Sequence, residues 1–537
     1  MLRKFVNREF LHISRSFYIG SILSNTRRLT SVKNTVKEPS RDTDNRQNSD
    51  VNKSTTDINL GNSELKAGTL NTSPLKVASD ACHDVIIIGG GVTGTALFYT
   101  LSRFTNLKRI CLIERHGDVS QVASNGRSNS QTIHCGDIET NYNLEKARKV
   151  LRQANMLRNY ATKLSPSMRD QVIFKLGKMV LGVGELECEI IEKRFNEFKF
   201  LYPHMNLLGK REIGDIEPCI AYKNTITYRP DPIASIYVPD EHTGVDYYQL
   251  AISFLKGATE VCENSKGKHL LTCMNTRVLD IIRMSSNGDL YKVITNRGEF
   301  YGKYVVVSAC GYSLLFAKKL GYNSNLSCLP VAGSFYFSSR PFLNGKVYTI
   351  QNPELPFAAV HGDPDLIMRD TTRFGPTALP LPLLERNNLG SIVDFFKIVN
   401  PDLNLALVYK DLFCNSSLRN YALRNILFEV PIINKNLFIK DCRKIIPSLE
   451  SKDIKYAHGF GGIRPQIIDK SKRKLLLGEG KITTDEGLIF NITPSPGGTT
   501  CLGTAENDMR IICNRLGAQV DELEFKRTLL QGDYSTD

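Results

Sequence analysis

The stretch HDVIIIGGGVTGTALFYTLSRF, residues 83–104, decides the fold. Its apolar run predicts a buried strand over 85–88, and the segment after the glycines predicts a helix over 93–103. Between them Gly89, Gly90, Gly91, Val92, Thr93 and Gly94 fit G-x-G-x-x-G. That pattern alone is weak, but a second strand over 109–113 ends at Glu114, twenty positions beyond Gly94, where an acid binds a ribose hydroxyl. Each glycine has a reason: Gly89 for the tight turn, Gly91 for close approach of backbone to a pyrophosphate, and Gly94 for helix–sheet packing. A dinucleotide is expected here, with its phosphates at the helix N-terminus.

Three other stretches favour FAD over NAD. SQVASNGRSNSQTIHCGD (120–137) delays the next helix with small polar residues, and Ser128, Asn129, Ser130, Gln131 and Thr132 are its candidate cofactor contacts. KYVVVSACGYS (303–313) brings a second strand–glycine turn at Gly311. SPGGTTCLG (495–503) places Gly497, Gly498 and Thr499 at a late helix start, which directs a positive dipole at a flavin. A cofactor longer than one nucleotide accounts for so many separate walls.

Outward from this core, 537 residues exceed one simple core, and two interleaved domains are expected. The fold class is α/β: a Rossmann-type FAD-binding domain over about 81–165, 210–325 and 455–520, interleaved with an α+β substrate domain over about 166–209 and 326–454. That second domain is expected to rest on a mixed or antiparallel sheet, with a tail at 521–537. Residues 143–200 read as largely helical, and three short strands follow in TRVLDIIRM, LYKVITN and KYVVVSAC.

The formal charge of +14 is unevenly placed. Arg3, Lys4, Arg8, Arg15, Arg27, Arg28 and Lys33 lie among apolar residues, with Glu9 the only acid before Glu38. Residues 1–34 therefore read as a mitochondrial presequence, and no nucleic-acid partner is expected. Residues 35–80 are rich in Asn, Ser, Thr and Asp and read as a disordered linker. No segment has the roughly eighteen uninterrupted apolar residues of a membrane span, so any membrane contact is expected to be peripheral. The 13 cysteines form no CxxC pair, and no metal site is expected.

Five strings carry a resemblance: NSQTIHCGDIETNY (129–142), PFAAVHGDPDL (356–366), TRFGPTALPLP (372–382), GGIRPQIID (461–469) and SPGGTTCL (495–502). With the glycine loop they span residues 84–510, and the chain resembles the D-amino-acid-oxidase-like FAD oxidoreductases, within them the malate:quinone oxidoreductase family. Residues 1–80 lie outside the resemblance, and the presequence-like segment implies an organellar version. The resemblance implies oxidation of L-malate to oxaloacetate by FAD. It further implies transfer of electrons to ubiquinone from the matrix face of the inner mitochondrial membrane, linking the tricarboxylic acid cycle to respiration.

Malate oxidation needs a base for the hydroxyl proton and cations for two carboxylates. Arginine suits a carboxylate because its planar fork makes two parallel hydrogen bonds. Arg464 in GGIRP resembles the wider family's substrate-carboxylate arginine, and Arg373 in TRFGP is a second clamp or a structural ion pair. His361 is the first candidate base, His134 the second and His458 the third. Asp363 and Asp365 read as turn caps around Pro364. A single dinucleotide fingerprint, without haem or iron–sulfur spacing, leaves a diffusible acceptor: a quinone, oxygen or a partner protein. The apolar run 392–408 fits lipid contact or, better, core packing. The alternatives are a dehydrogenase of L-2-hydroxyglutarate, an amino-acid oxidase of this fold, and a flavin-binding protein without turnover.

Overall fold

In the computed structural model the decisive stretch forms the strand His83–Ile88 at the middle of a sheet, followed by the helix Val92–Phe104. Residues 82–534 are described, except position 225 and segments 285–289, 323–324, 352–358, 400–401, 430–433, 477–479 and 493–495. The presequence expected at 1–34 and the linker expected at 35–80 lie outside the described residues. No helix among the described residues is long and apolar enough to cross a membrane.

The strand His83–Ile88 pairs in parallel with Gly298–Val307 on one side and Arg109–Ile113 on the other. His269–Cys273 extends the sheet beyond Arg109–Ile113, and Leu488–Ile492 extends it beyond Gly298–Val307, both in parallel. An antiparallel pair, Val278–Arg283 with Tyr291–Thr295, feeds into Gly298–Val307, so the three successive strands read from the sequence are present. Central parallel strands are covered on both faces, which explains their unbroken Val and Ile runs.

The helix Val92–Phe104 buries twelve of its thirteen residues, because it lies between the helices Tyr247–Asn264 and Cys501–Leu516. Tyr99 stacks on Phe254 with ring centroids 5.6 Å apart. Its buried hydroxyls stay satisfied within the helix: Thr100 donates to the Leu97 carbonyl at 3.1 Å and Ser102 to the Tyr99 carbonyl at 2.8 Å.

A second, mixed sheet runs Lys455–Tyr456, Tyr336–Ser338, Thr372–Gly375, His361–Pro364, Lys346–Thr349, Lys178–Val183, Ile233–Val238, Asn206–Gly209. Only Lys346–Thr349 with Lys178–Val183 is parallel in it. A four-stranded antiparallel sheet centred on Leu326–Gly333 and Gly462–Asp469 supplies a further wall of the site. The α/β class with a mixed second sheet is what the sequence implied.

Residues 143–200 are largely helical, as read, through Leu144–Thr162, Pro166–Val172 and Glu185–Phe198, with the short strands Ile173–Lys175 and Lys178–Val183 between them. Periodicity cannot separate a short apolar strand such as KMVLGV from a buried helical turn. One reading needs correction: the segment 210–325 is not wholly part of the cofactor sheet, because Ile233–Val238 pairs with Lys178–Val183 in the mixed sheet. Strand partners are a long-range property that local sequence does not encode.

Candidate active site

The parallel strands end at a cavity of about 540 Å³. Gly89 has φ +112°, and a Cβ there would stand 2.4 Å from the Ser308 carbonyl oxygen. A Cβ on Gly94 would stand 1.9 Å from the Gly89 oxygen, so glycine holds the helix against the strand end. Gly91 meets only Ser124 Oγ at 3.4 Å and faces the cavity. No side chain caps the helix at Gly91, and the Val92 N–H donates to Ser124 Oγ at 3.0 Å. Helix-start amides opening onto a cavity make an anion site.

Glu114 also lines this cavity, with Oε2 accepting the Gly90 N–H at 2.6 Å and Oε1 accepting the His116 N–H at 2.9 Å. Ser128, Asn129, Ser130 and Thr132 line a second wall, and Gly497 and Gly498 a third. Backbone that no Cβ could replace, a helix start that faces the cavity and a strand-end carboxylate fit the phosphates and ribose of FAD. Four expected contacts hold the walls rather than line them. Gly94 packs the helix, and Gly311 starts the helix Gly311–Lys319 against Leu384 and Pro465. Gln131 is buried, with Oε1 accepting the Leu366 N–H at 2.8 Å, and Thr499 Oγ1 accepts the His134 N–H at 3.1 Å.

His134 and Arg464 line the same cavity. His134 Nδ1 lies 2.7 Å from Glu139 Oε1, while Glu139 Oε2 accepts the Gly136 N–H at 2.7 Å. Burial raises the Glu139 carboxyl, but the hydrogen bond and charge of His134 outweigh it and hold the group below its ordinary value. An ionised Glu139 accepts the hydrogen bond of Nδ1–H, which leaves Nε2 of the neutral ring as the nitrogen with a free lone pair. Arg464, on Gly462–Asp469, makes no salt bridge among the described residues, and burial lowers its pKa from the ordinary guanidinium value. A half-buried guanidinium with no acid partner among the described residues, beside a histidine with an orienting carboxylate, is suited to receive an oxyacid.

The other expected site residues lie elsewhere. Arg373 is 0% exposed and locked to Asp363 at 2.9 Å and Asp365 at 3.2 Å, so it is a structural ion pair and not a substrate clamp. His361 is 2% exposed and does not line the cavity. Its Nδ1 sits 3.1 Å from Asp363 Oδ1 and its ring stacks on Tyr348 at 4.5 Å, which removes it as the base. Asp365 does cap a turn, accepting the Ile367 and Met368 N–H groups, whereas Asp363 is the centre of a buried cluster that also holds Lys346 at 3.1 Å. That cluster supports the cavity wall from behind: Arg373 donates to the Asn129 carbonyl at 3.1 Å and Lys346 to the Ser130 carbonyl at 3.3 Å. His458 is exposed, against Tyr456. Sequence reasoning missed Glu139 and Tyr348, whose hydroxyl lies 2.9 Å from Thr132 Oγ1. The only available signal for Glu139 was an acid five residues after His134 in an irregular stretch, where no periodicity rule applies.

Comparison with known proteins agrees with this geometry. Residues 84–507 match the family of FAD dependent oxidoreductases. A probable malate:quinone oxidoreductase of Campylobacter jejuni is 46% identical over 452 residues, covering 83% of this chain and 99% of the relative. The malate:quinone oxidoreductase of Helicobacter pylori strain 26695 is 44% identical over 451 residues, covering 83% and 97%. Among solved structures, the FAD-bound L-alpha-glycerophosphate oxidase of Mycoplasma pneumoniae shares the fold with a TM-score of 0.55 at 19% identity, covering 82% of this chain and 96% of that one. The chain therefore belongs to the FAD-dependent oxidoreductase family and, within it, to the malate:quinone oxidoreductases.

Proposed function

We propose that this chain oxidises L-malate to oxaloacetate and passes the electrons to a quinone. The observation that carries the reading is the pairing, in one cavity, of an Arg464 guanidinium with no acid partner among the described residues and a His134 held by Glu139. Arg464 receives a malate carboxylate in a two-pronged hydrogen bond and turns the hydroxyl-bearing carbon toward the cofactor. His134 Nε2 takes the hydroxyl proton, and Glu139 steadies the imidazolium that results. FAD, held at the Gly89–Gly94 turn, by Glu114 and along the Ser128–Thr132 wall, would supply the hydride acceptor. Tyr348, edge-on to His134 with ring centroids 6.2 Å apart and bonded through its hydroxyl to Thr132, supports that end of the cavity from behind.

The finer identity of the acceptor and the compartment belong to the same proposal. Ubiquinone is the acceptor, reached by peripheral attachment to the matrix face of the inner mitochondrial membrane, with residues 1–34 as the targeting segment. Two observations support this: the Arg-rich, acid-poor start of the chain, and exposed Leu389, Val393 and Phe396 next to the cavity-lining Asp394 and Lys397.

Anaerobic addition of L-malate, L-2-hydroxyglutarate or a D-amino acid to the purified holoprotein tests the substrate. Malate alone is expected to bleach the flavin absorbance, and a quinone analogue to restore it; a flavin that malate leaves oxidised overturns the reading. Fluorescent-protein fusions of the full chain and of residues 81–537 test the compartment. Equal mitochondrial import of both removes residues 1–34 as the targeting segment.

A further inference from the structure

A diacid needs two cations, and Arg373 is not available as the second. We infer that Arg386 receives the second carboxylate of a four-carbon dicarboxylate and that Glu429 tempers its charge; this rests on the malate reading above. Arg386 lines the cavity that Arg464 and His134 line. Among the described residues all its hydrogen bonds run through Nη2: to Ser334 Oγ at 2.9 Å, Glu429 Oε2 at 2.7 Å and the Tyr456 hydroxyl at 3.2 Å. A guanidinium has five N–H donors in a fixed fork, so with Nη2 engaged the Nη1 N–H groups keep a single-pronged, charge-assisted contact for a ligand.

The two arginines meet at one turn. A Cβ built on Gly333 would stand 3.6 Å from Arg464 Nη1, and the next residue, Ser334, is bonded to Arg386. Gly461, itself cavity-lining, packs so tightly on this turn that a Cβ there would stand 2.1 Å from the Gly333 oxygen. The Arg464 guanidinium thus lies beside Gly333 and that of Arg386 is bonded to the next residue, which places both cations at one tight turn, as recognition of a short diacid requires. Other cations along the cavity, such as Arg115 with Glu385 at 2.6 Å and Lys397 with Asp394 at 2.9 Å, are paired as Arg386 is with Glu429, but Arg386 is the one bonded to the Gly333–Ser334 turn beside Arg464. Glu429 keeps hydrogen bonds from Ser334 at 2.7 Å and Tyr456 at 2.9 Å when Arg386 is replaced, so the fold tolerates the substitution.

The second carboxylate lies away from the reacting carbon, so its loss removes binding that substrate and transition state share. In the full-length holoenzyme, Arg386→Gln is expected to raise KM for L-malate about 10- to 100-fold with kcat within about 3-fold of wild type. Competitive inhibition by succinate should weaken by the same factor, and inhibition by butyrate should not change. Arg386→Lys should recover part of the loss, and Glu429→Gln, which releases Arg386, should lower KM. An unchanged malate KM in Arg386→Gln, or succinate and butyrate weakening together, overturns the assignment. If Arg386→Gln loses flavin, the Arg386→Lys and Glu429→Gln pair decides, and a KM rise in Glu429→Gln counts against it. Wild-type protein that malate fails to reduce overturns both this and the malate reading, whereas a reducible wild type with an indifferent Arg386→Gln overturns this one alone.

Discussion

Glu139 Oε1 sits 2.7 Å from His134 Nδ1, and its other oxygen is anchored by the Gly136 amide at 2.7 Å. The carboxylate is thereby fixed in place before it fixes the imidazole, and the acceptor nitrogen Nε2 is turned to the cavity by default. Glu139→Gln keeps the shape but removes the charge that steadies an imidazolium and lets the ring adopt the other tautomer. We expect kcat to fall about 10²- to 10⁴-fold with flavin content unchanged. Stopped-flow flavin reduction by malate reads this, and a rate within a few-fold of wild type would remove His134 as the base.

Arg464 makes the complementary test. Because no acid among the described residues pairs with it, its replacement leaves no orphaned carboxylate behind among them, unlike that of an ion-paired arginine such as Arg373. Arg464→Ala should keep its flavin and lose about 100-fold or more in kcat/KM for malate, with Arg464→Lys between the two. Titration of the 450 nm region with malate checks it. Retained affinity in Arg464→Ala would place the substrate carboxylate elsewhere.

The parts legible in the sequence are those governed by near neighbours. The glycine spacing from Gly89 to Gly94 sets a local turn, and the structure shows the clashes that spacing avoids at Ser308 and at Gly89 itself. Arg464 was legible because GGIRP is a long and specific string. His361 and Arg373 misled for a shared reason. Asp363 pairs with Arg373 across neighbouring strands, and His361 faces the same side of its strand as Asp363, two residues on. Residues that look like a catalytic set in one dimension therefore satisfy one another in the interior. Arg386 was overlooked because its partners Ser334, Glu429 and Tyr456 come from three distant segments, and only the fold brings it to the cavity.

Asp363 yields a stability prediction. Burial alone would raise its carboxyl, but the charges of Arg373, Lys346 and His361 outweigh burial and hold it far below the usual carboxylate range. A depressed acid contributes stability that is present above its unfolded value, about 3.9, and is lost only as pH falls through the lower folded value. Asp363→Asn leaves Lys346 and Arg373 buried with Asp365 as their remaining acid, at a cost of about 3–5 kcal/mol. The drop in melting temperature should therefore be large and nearly the same at pH 5 and pH 8. The loss of Arg373 and Lys346 alignment should also slacken the Asn129–Ser130 wall and weaken flavin retention. An unshifted melting temperature would show that the cluster is not a stabilising centre.

Glu217 behaves in the opposite sense. It is 1% exposed and accepts the Asn344 N–H at 3.0 Å and the Gly345 N–H at 2.6 Å, at the start of the strand that carries Lys346 and Tyr348. Burial outweighs those two backbone bonds and pushes its carboxyl up to about 7. With an unfolded value near 4.3, the folded chain holds a proton there that the unfolded chain has released across the interval between them. Stability from this group is complete below the unfolded value and declines as pH rises through the folded one. Glu217→Gln is a permanent mimic of the protonated acid, so it should be nearly neutral at pH 5 and stabilising, on the order of 2–3 kcal/mol, at pH 8. Urea midpoints of both proteins at the two pH values measure it. A Glu217→Gln variant that is equally displaced from wild type at both pH values would show that Glu217 remains ionised in the folded chain, its charge carried by the Asn344 and Gly345 amides.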